Sequence, residues 1–570
     1  MNTAQNWVPI TLHDVSDRGK KIMENEGFEI VFREGRSPMA AQYQGRNPRR
    51  VVDQGIGITC DYDIPVRMSD GIKIYVDVVR PINAGKCPVL IAWGPYGKHK
   101  PDHIKYAAFA ARRKGATGVS DAELSRYCIF EGPDPAYWCP YGYAIVHADP
   151  RGSWGSEGDL TFMTKQEAKD FYDLIEWAGI QEWSNGKVGL IGVSYLAWSQ
   201  WKVAALNPPH LAAINPTDGS TDFYRELAFH GGIPCDYISF ISTAWIFSNG
   251  QAEDLEEMSR RHPMFDSYWA SKNANLSEIT VPAYVVTSWG DHGLHLRGTL
   301  EAFRRISSKE KWLTVHGRKL WDNFYQNQER QRQFFDKYLK GIESEIRYWP
   351  KVALEVRERF YQGNFRAENE WPLSQTDYRT LYVDPVNRAL SNAPIKSEGV
   401  ISYDARAESA SLDLMFDMKT EITGYMKLKL WVEAAGSDDM DLFIIIDKID
   451  RTGDRVPFPM RTTSSDGAVT YGWLRASHRE TDPERSTPFQ PFHHHQREVK
   501  LKNNEIVPVE IEIWPSSTLF YKGETLRVTV AGHDIEVSRD FMHTNTVNRG
   551  KHIIHAGGRY DSHLLIPVIP

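Results

Sequence analysis

The stretch KVGLIGVSYLAWSQWKVAALNP, Lys187–Pro208, decides the reading of this chain. Lys187–Ile191 is a short apolar run of the kind that forms a buried central strand. The run ends at Gly192, Ser194 follows, and LAWSQWKVAAL takes on helical texture at once. A strand, a sharp turn and a helix around a serine make the setting of a nucleophile elbow. Small residues beside the serine let the strained turn pack. The turn presents Oγ at the carboxyl edge of the sheet, where free N–H groups of the helix N-terminus favour a developing oxyanion. The usual G-x-S-x-G is broken by Leu196, with the small Ala197 one position later. A bare G-x-S arises by chance in long chains. The flanking strand and helix favour a nucleophile over an ordinary β-to-α turn.

Further buried strands lie on either side. Pro88–Trp93 (PVLIAW), Tyr143–Ala148 (YAIVHA) and Ala283–Ser288 (AYVVTS) are continuous apolar runs, and residues 62–81 hold two alternating segments around an Asp70–Gly71 turn. Between the second run and the serine strand, Phe171, Leu174, Ile175 and Ala178 follow helical spacing. Strands alternating with amphipathic helices predict an α/β sheet, mainly parallel. Residues 222–276 interrupt that rhythm with aromatic and then charged segments lacking an obvious strand, and are read as a helical cap insertion. After residue 345 the pattern changes for good: Met426, Leu428, Leu430 and Val432 alternate with polar partners, as do Val509, Ile511 and Ile513. This predicts an all-β C-terminal domain, a sandwich or jelly roll. The expected organisation is therefore an N-terminal arm over 1–55, a catalytic domain over 56–221 and 277–345, the cap over 222–276, and the β-domain over 346–570.

A serine nucleophile needs a base and an orienting acid, which in α/β-hydrolases follow in the order acid, then histidine. Asp291 sits just after the strand AYVVTS, and His316 closes the next strand, KWLTVHG. His292 and His295 lie beside Asp291 and Asp322 lies after His316, but Asp291 and His316 each terminate a predicted buried strand and are preferred. For the oxyanion hole, one donor is the Tyr195 backbone N–H and a second is expected from the loop Gly94–Lys98, where Tyr96 could supply a phenolic hydroxyl. Asp149, Arg151, Glu157 and Asp159 form a polar loop read as a brace under the serine rather than a substrate reader. Three adjacent side chains cannot easily converge on one ion, so His493–His495 is not read as a metal site. Asp438, Asp439 and Asp441 read as a solvated turn. No metal and no cofactor are expected.

Composition narrows the function. With 570 residues, a formal net charge of −7 and no basic run, the chain is a poor candidate for binding nucleic acid. No apolar stretch is long enough for a membrane helix, and the N-terminus lacks a signal-peptide pattern. Five widely spaced cysteines without C-x-x-C read as reduced thiols in a cytoplasmic protein, not a disulfide or zinc framework. Aromatic residues reach 12%. Trp93, Trp154, Trp198 and Trp289 fall near the proposed site, and Phe240 and Trp245 lie in the insertion. Together they are expected to line an apolar acyl or leaving-group pocket.

The motifs GPYGK, DPRGSWGSEGD at Asp149–Asp159, GVSYLA and WGDHGLHLRG, in that order, resemble the cocaine esterase/glutaryl-acylase/X-Pro dipeptidyl-peptidase group of serine hydrolases, the CocE/NonD family. The resemblance covers roughly residues 60–345 and continues into a C-terminal jelly roll through YGWLRASHR and IWPSSTLFYKGETLRV. It implies a triad of Ser194, Asp291 and His316, with the Tyr96 hydroxyl and Tyr195 amide as the oxyanion hole, and makes Leu196 a family habit. One departure stands out: many relatives carry G-P-W-x-H where this chain reads TVHGRKLWDNFY. The expected function is a serine hydrolase cleaving an ester or amide of a bulky, largely apolar small molecule through an acyl-enzyme. An acyltransferase, an X-Pro dipeptidyl peptidase and a non-catalytic binding protein are the alternatives, and family precedent suggests a homodimer.

Overall fold

A computed structural model describes residues 20–23, 28–36, 46–82, 84–98, 124–244, 247–343, 345–461, 464–535 and 541–570. Its spine is a ten-stranded sheet: β1 (Arg49–Asp53), β2 (Ile58–Arg67), β3 (Lys73–Pro81), β4 (Cys87–Trp93), β5 (Ala144–Asp149), β6 (Ser184–Val193), β7 (Leu211–Thr217), β8 (Ala283–Ser288), β9 (Lys311–His316) and β10 (Val352–Arg359). The spatial order is β1-β2-β3-β5-β4-β6-β7-β8-β9-β10. The first strands pair antiparallel, and every neighbour from β5 onward is parallel. β4, β5 and β8 are buried along their whole length, as their largely apolar text requires when helices cover both faces. One covering helix, α1 (Lys165–Gly179), starts where the Thr164 hydroxyl accepts from the Glu167 N–H, and it buries Phe171, Leu174, Ile175 and Ala178 against the sheet. A second, α2 (Tyr195–Ala204), leaves directly from the end of β6. This order and handover are those of an α/β-hydrolase sheet.

β10 joins the two halves of the molecule. It pairs with β9, and at Arg357 it also meets Thr518 on the strand Val507–Phe520. From there the chain is antiparallel β-structure. Thr420–Ala435 pairs with Val507–Phe520, Lys551–Ala556 and His563–Ile569. Asp441–Ile449 pairs with Thr470–Arg475 and Thr525–Ala531. The alternating Leu428, Leu430, Ile511 and Val528 share a second core there. Among the described residues after 348, only one short 3₁₀ turn, Ala476–His478, is helical.

Two expectations change in detail. The 222–276 insertion holds short helices at Tyr237–Ala244, Leu255–Arg261 and Ser267–Lys272, but also β-structure: a hairpin pairing Phe229–His230 with Ile233–Pro234, and a strand at Gln251–Glu253. That strand pairs with Phe28–Glu34. The N-terminal segment is thus no polar arm throughout, because Ile30, Val31 and Phe32 are buried against the insertion. Pieces this short carry no period of their own, and only the partner strand stabilises them. Among the described residues no helix is long and apolar enough to cross a membrane.

Candidate active site

Ser194 stands between β6 and α2 with φ 57° and ψ −118°. A non-glycine residue at such angles carries strain of about 1–3 kcal/mol, so its surroundings must hold it. The Ser194 N–H donates to the Thr217 carbonyl on β7 at 3.0 Å, and the Val193 N–H to Glu131 at 3.1 Å. Its own carbonyl accepts from the N–H groups of Ala197 and Trp198 at 2.9 and 3.0 Å, which starts the helix. Space is supplied by glycines. A Cβ on Gly192 would stand 2.4 Å from the Leu196 Cβ, and one on Gly219 would stand 2.8 Å from the Ala197 Cβ. A Cβ on Gly94, in the loop after β4, would stand 2.4 Å from the Leu196 Cδ1. This accounts for Leu196: the close approach that a second elbow glycine ordinarily permits is taken up by a glycine on the neighbouring loop.

The structure brings Ser194 to Asp291 through His295. The Ser194 Oγ and His295 Nε2 are 3.0 Å apart, and the His295 Nδ1 contacts the Asp291 carboxylate. All three side chains are buried. The carboxylate accepts, so Nδ1 carries the proton and the lone pair of Nε2 faces the serine hydroxyl. Asp291 and His295 share one turn after β8, closed by the Leu296 N–H donating to the Asp291 carbonyl at 3.2 Å. His295 then caps α3 (Leu296–Arg305), its carbonyl accepting from the Thr299 N–H at 2.9 Å.

His316 is therefore corrected. It ends β9, as its strand predicted, but its Nδ1 accepts from the Arg318 N–H at 3.2 Å, and it is fully enclosed. Burial, with the Arg318 charge, pushes its pKa down to about 3. A ring held neutral that far below physiological pH is a poor proton acceptor for a serine. The strand-end criterion picked Asp291, which stands in this relay, and passed over His295, although DHGLH places a histidine one helical turn beyond that carboxylate.

Asp218, at the end of β7, was also missed. Its Oδ1 accepts from the Thr287 hydroxyl at 2.6 Å and the Ser288 N–H at 3.0 Å. Burial first, and the nearby Asp291 charge second, push its carboxyl up to about 7. Asp218 thus stands behind Asp291 in a more readily protonated state.

The loop Gly94–Lys98 is anchored by a buried lysine. The Lys98 ammonium lies between Asp63 and Asp77, at 2.8 Å from the latter, and the Lys98 backbone N–H donates to the Asp149 carboxylate at 2.8 Å. Tyr96 packs edge-on against Phe130 and Tyr195, with ring centroids 5.0 and 6.3 Å away. The Tyr195 phenol donates to the buried Glu167 at 2.8 Å, so what this residue offers to the serine side is its backbone N–H at the first turn of α2. The polar loop after β5 braces. Arg151 forks onto Asp170 at 2.6 and 2.7 Å, and Glu157 and Asp159 accept from the backbone N–H groups of Lys73 and Gln251.

The aromatic residues divide. Trp198, one turn after the serine, has its ring 6.0 Å from His295 and 5.3 Å from Phe223. It lines a cavity with Met163, Ser220, Asp222, Phe223 and Lys272. Trp93 donates to Glu167 at 3.0 Å and stacks on Phe171, Trp154 donates to the Pro95 carbonyl at 2.9 Å, and Trp289 donates to the Glu355 carbonyl at 2.8 Å. The indole N–H of each of these three is engaged by a protein acceptor, so the contacts they make here brace the fold, and Trp93 also lines a small cavity with Met163 and Lys202. Phe240 stacks on Tyr237 in the insertion, away from those contacts. Trp245 lies outside the described residues.

Comparison with known proteins agrees with this architecture. Residues 70–321 match the X-Pro dipeptidyl-peptidase (S15) family, and residues 347–565 match the X-Pro dipeptidyl-peptidase C-terminal non-catalytic domain. The cocaine esterase of Rhodococcus sp. (strain MB1 Bresler) is 24% identical over 91% of this chain and 100% of its own length. The solved structure of a CocE/NonD family hydrolase from Staphylococcus aureus is 41% identical with a TM-score of 0.88, covering 94% of this chain and 98% of that one. An α-amino acid ester hydrolase shares the fold at 16% identity and a TM-score of 0.67, over 94% of this chain and all of its own. Two matched domains in series, and that degree of identity over nearly the whole length, place this chain in the CocE/NonD family of hydrolases.

Proposed function

We propose that the protein is a serine hydrolase that cleaves an ester of a bulky, largely apolar small molecule through an acyl-enzyme, its second domain being a jelly roll. The observation that carries this reading is the relay Ser194 Oγ–His295 Nε2, 3.0 Å long, ending on Asp291 and standing on a strained elbow. His295 takes the hydroxyl proton as Ser194 attacks the carbonyl, and Asp291 fixes the tautomer and stabilises the imidazolium. The Tyr195 amide and the Tyr96 hydroxyl are assigned to the oxyanion, one such donor being worth about 3 kcal/mol of barrier. His295 then returns the proton to the leaving group, and water releases the acid.

An ester is preferred over an X-Pro peptide on one observation. A dipeptidyl peptidase must recognise a free amino group, yet the acid lining the cavity, Asp222, is already engaged by Arg225 at 2.7 Å. The similarity to a cocaine esterase supports the same preference. The test is labelling with a fluorophosphonate probe, followed by a panel of aryl esters, anilides and X-Pro anilides, with wild type and Ser194→Ala. Labelling at Ser194 with turnover of bulky esters is expected. Turnover surviving in Ser194→Ala would overturn the mechanism, and X-Pro anilides outpacing esters would overturn the substrate class.

A further inference from the structure

Behind the Asp291–His295 turn, where the insertion meets the C-terminal β-domain, two histidines and a cysteine converge. His230 ends one arm of the short hairpin, Cys235 follows its other arm, and His543 comes from the far end of the chain. All three are buried, and one ligating atom from each lies within 4.8 Å of the others. The His230 Nδ1 and His543 Nε2 are 2.8 Å apart.

The outer partners of the two rings decide what that contact can be. The His230 Nε2 faces the Glu226 carbonyl at 3.3 Å, and a carbonyl only accepts, so Nε2 carries the hydrogen. The His543 Nδ1 faces the Asp534 carboxylate at 3.0 and 3.2 Å, so there Nδ1 carries it. When both rings are neutral, the two inner nitrogens are therefore bare lone pairs pointed at each other. Such a contact is repulsive unless a positive centre lies between them. The Cys235 sulfur flanks that point, within 4.8 Å of the ligating nitrogens, and accepts from the Tyr237 backbone N–H.

We propose that His230, Cys235 and His543 bind one zinc ion, with Asp534 as the carboxylate that orients His543. Imidazole and thiolate donors suit zinc, and they do not suit magnesium or calcium, which take oxygen. Tetrahedral zinc with bonds of about 2.0–2.1 Å to nitrogen and about 2.3 Å to sulfur needs N···N and N···S separations of about 3.3 and 3.6 Å. Shifts on the order of 1 Å from the present positions supply them. A carboxylate on the second nitrogen of a zinc-bound histidine is the usual means of fixing its tautomer. Binding displaces the thiol proton of Cys235 to water, and both imidazoles stay neutral.

The surroundings are built to hold these residues. Gly231 and Gly232, at φ 56° and 88°, turn the hairpin, and a Cβ on Gly231 would collide with the Trp473 carbonyl at 2.1 Å. Asp236 ties the cysteine loop to the histidine loop, its N–H donating to Met542 at 2.8 Å and its carboxylate accepting from Thr544 at 3.0 Å. Zinc here would clamp the insertion to the β-domain. It would also stiffen the catalytic turn, since a Cβ on Gly293 would lie 3.3 Å from the His230 Cε1. The pattern escaped sequence reading because 308 residues separate Cys235 from His543 and no local spacing joins them.

The full-length chain, purified without metal-chelating resin and dialysed against zinc and then metal-free buffer, is expected to retain one zinc by elemental mass spectrometry. Cobalt substitution should give a thiolate-to-cobalt charge-transfer band. Cys235→Ser and His543→Gln should each lose the metal, the band and the zinc-dependent rise in Tm, whereas His543→Cys, which keeps a ligand, should retain metal. Fluorophosphonate labelling of Ser194 checks that each variant is folded. No retained zinc and no cobalt band in wild type would overturn the proposal in favour of a proton shared by the two rings, and so would equal zinc content in wild type and Cys235→Ser. Neither outcome depends on whether the protein is an esterase.

Discussion

Two histidines compete for one role, and chemistry separates them. His295 touches the serine, while His316 is enclosed three strands away from it in the sheet order, with its pKa pushed down to about 3. His295→Gln is expected to lower kcat by about four orders of magnitude or more, as loss of a catalytic histidine does. His316→Gln should stay within a few-fold of wild type, and steady-state ester hydrolysis by the two variants decides the assignment. His316 has a different signature. Its folded pKa lies below the unfolded value of about 6.5, so its stabilising contribution is present above that pH and is lost as pH falls toward 3. Between pH 7 and pH 5, His316→Gln should lose about 2 kcal/mol less stability than wild type, measured by urea unfolding. The serine was legible because a motif, a strand and a helix coincide there. The base we propose was not, because which of two histidines faces the serine is fixed by the path of a turn.

At the scale of the element, the elbow is a three-way fit among β6, α2 and the loop after β4. Gly94→Ala places a methyl into Leu196 and should destabilise the fold by about 1–3 kcal/mol. Adding Leu196→Ala should restore part of that loss, and thermal unfolding of the two single variants and the double variant gives the coupling. The same loop depends on Lys98. Lys98→Met leaves Asp63 and Asp77 without their buried cation and should cost about 3–5 kcal/mol, read as a fall in Tm. Strands such as β4 and β5 were legible since burial on both faces forces largely apolar text. The hairpin at Phe229–Pro234 and the strand Gln251–Glu253 were not, being too short to show a period.

For the whole molecule, the first and last segments of the chain both close on the insertion. Phe28–Glu34 forms a strand with Gln251–Glu253, and the Asp254 N–H donates to the Val31 carbonyl at 2.9 Å. Removal of residues 1–45 should therefore uncover apolar surface on the insertion. The truncated chain is expected to unfold at a lower temperature and to bind a hydrophobic dye, with the Ser194 relay left in place. Composition predicted an aromatic pocket, yet the buried indoles of Trp93, Trp154 and Trp289 spend their N–H groups on protein acceptors. An aromatic count cannot tell a lining from a brace, since both are buried rings.

The turn that carries both Asp291 and His295 has a consequence for motion. In a relay assembled from two loops, either loop can drift and break the proton path at two joints. Here Asp291 and His295 stand at the two ends of one five-residue turn, pinned on one side to β8 and on the other to α3. They travel together. The machinery is left with one adjustable gap, the 3.0 Å between His295 and Ser194. Any shift of the Ser194 elbow against that turn is felt there as a single coordinate, open or closed.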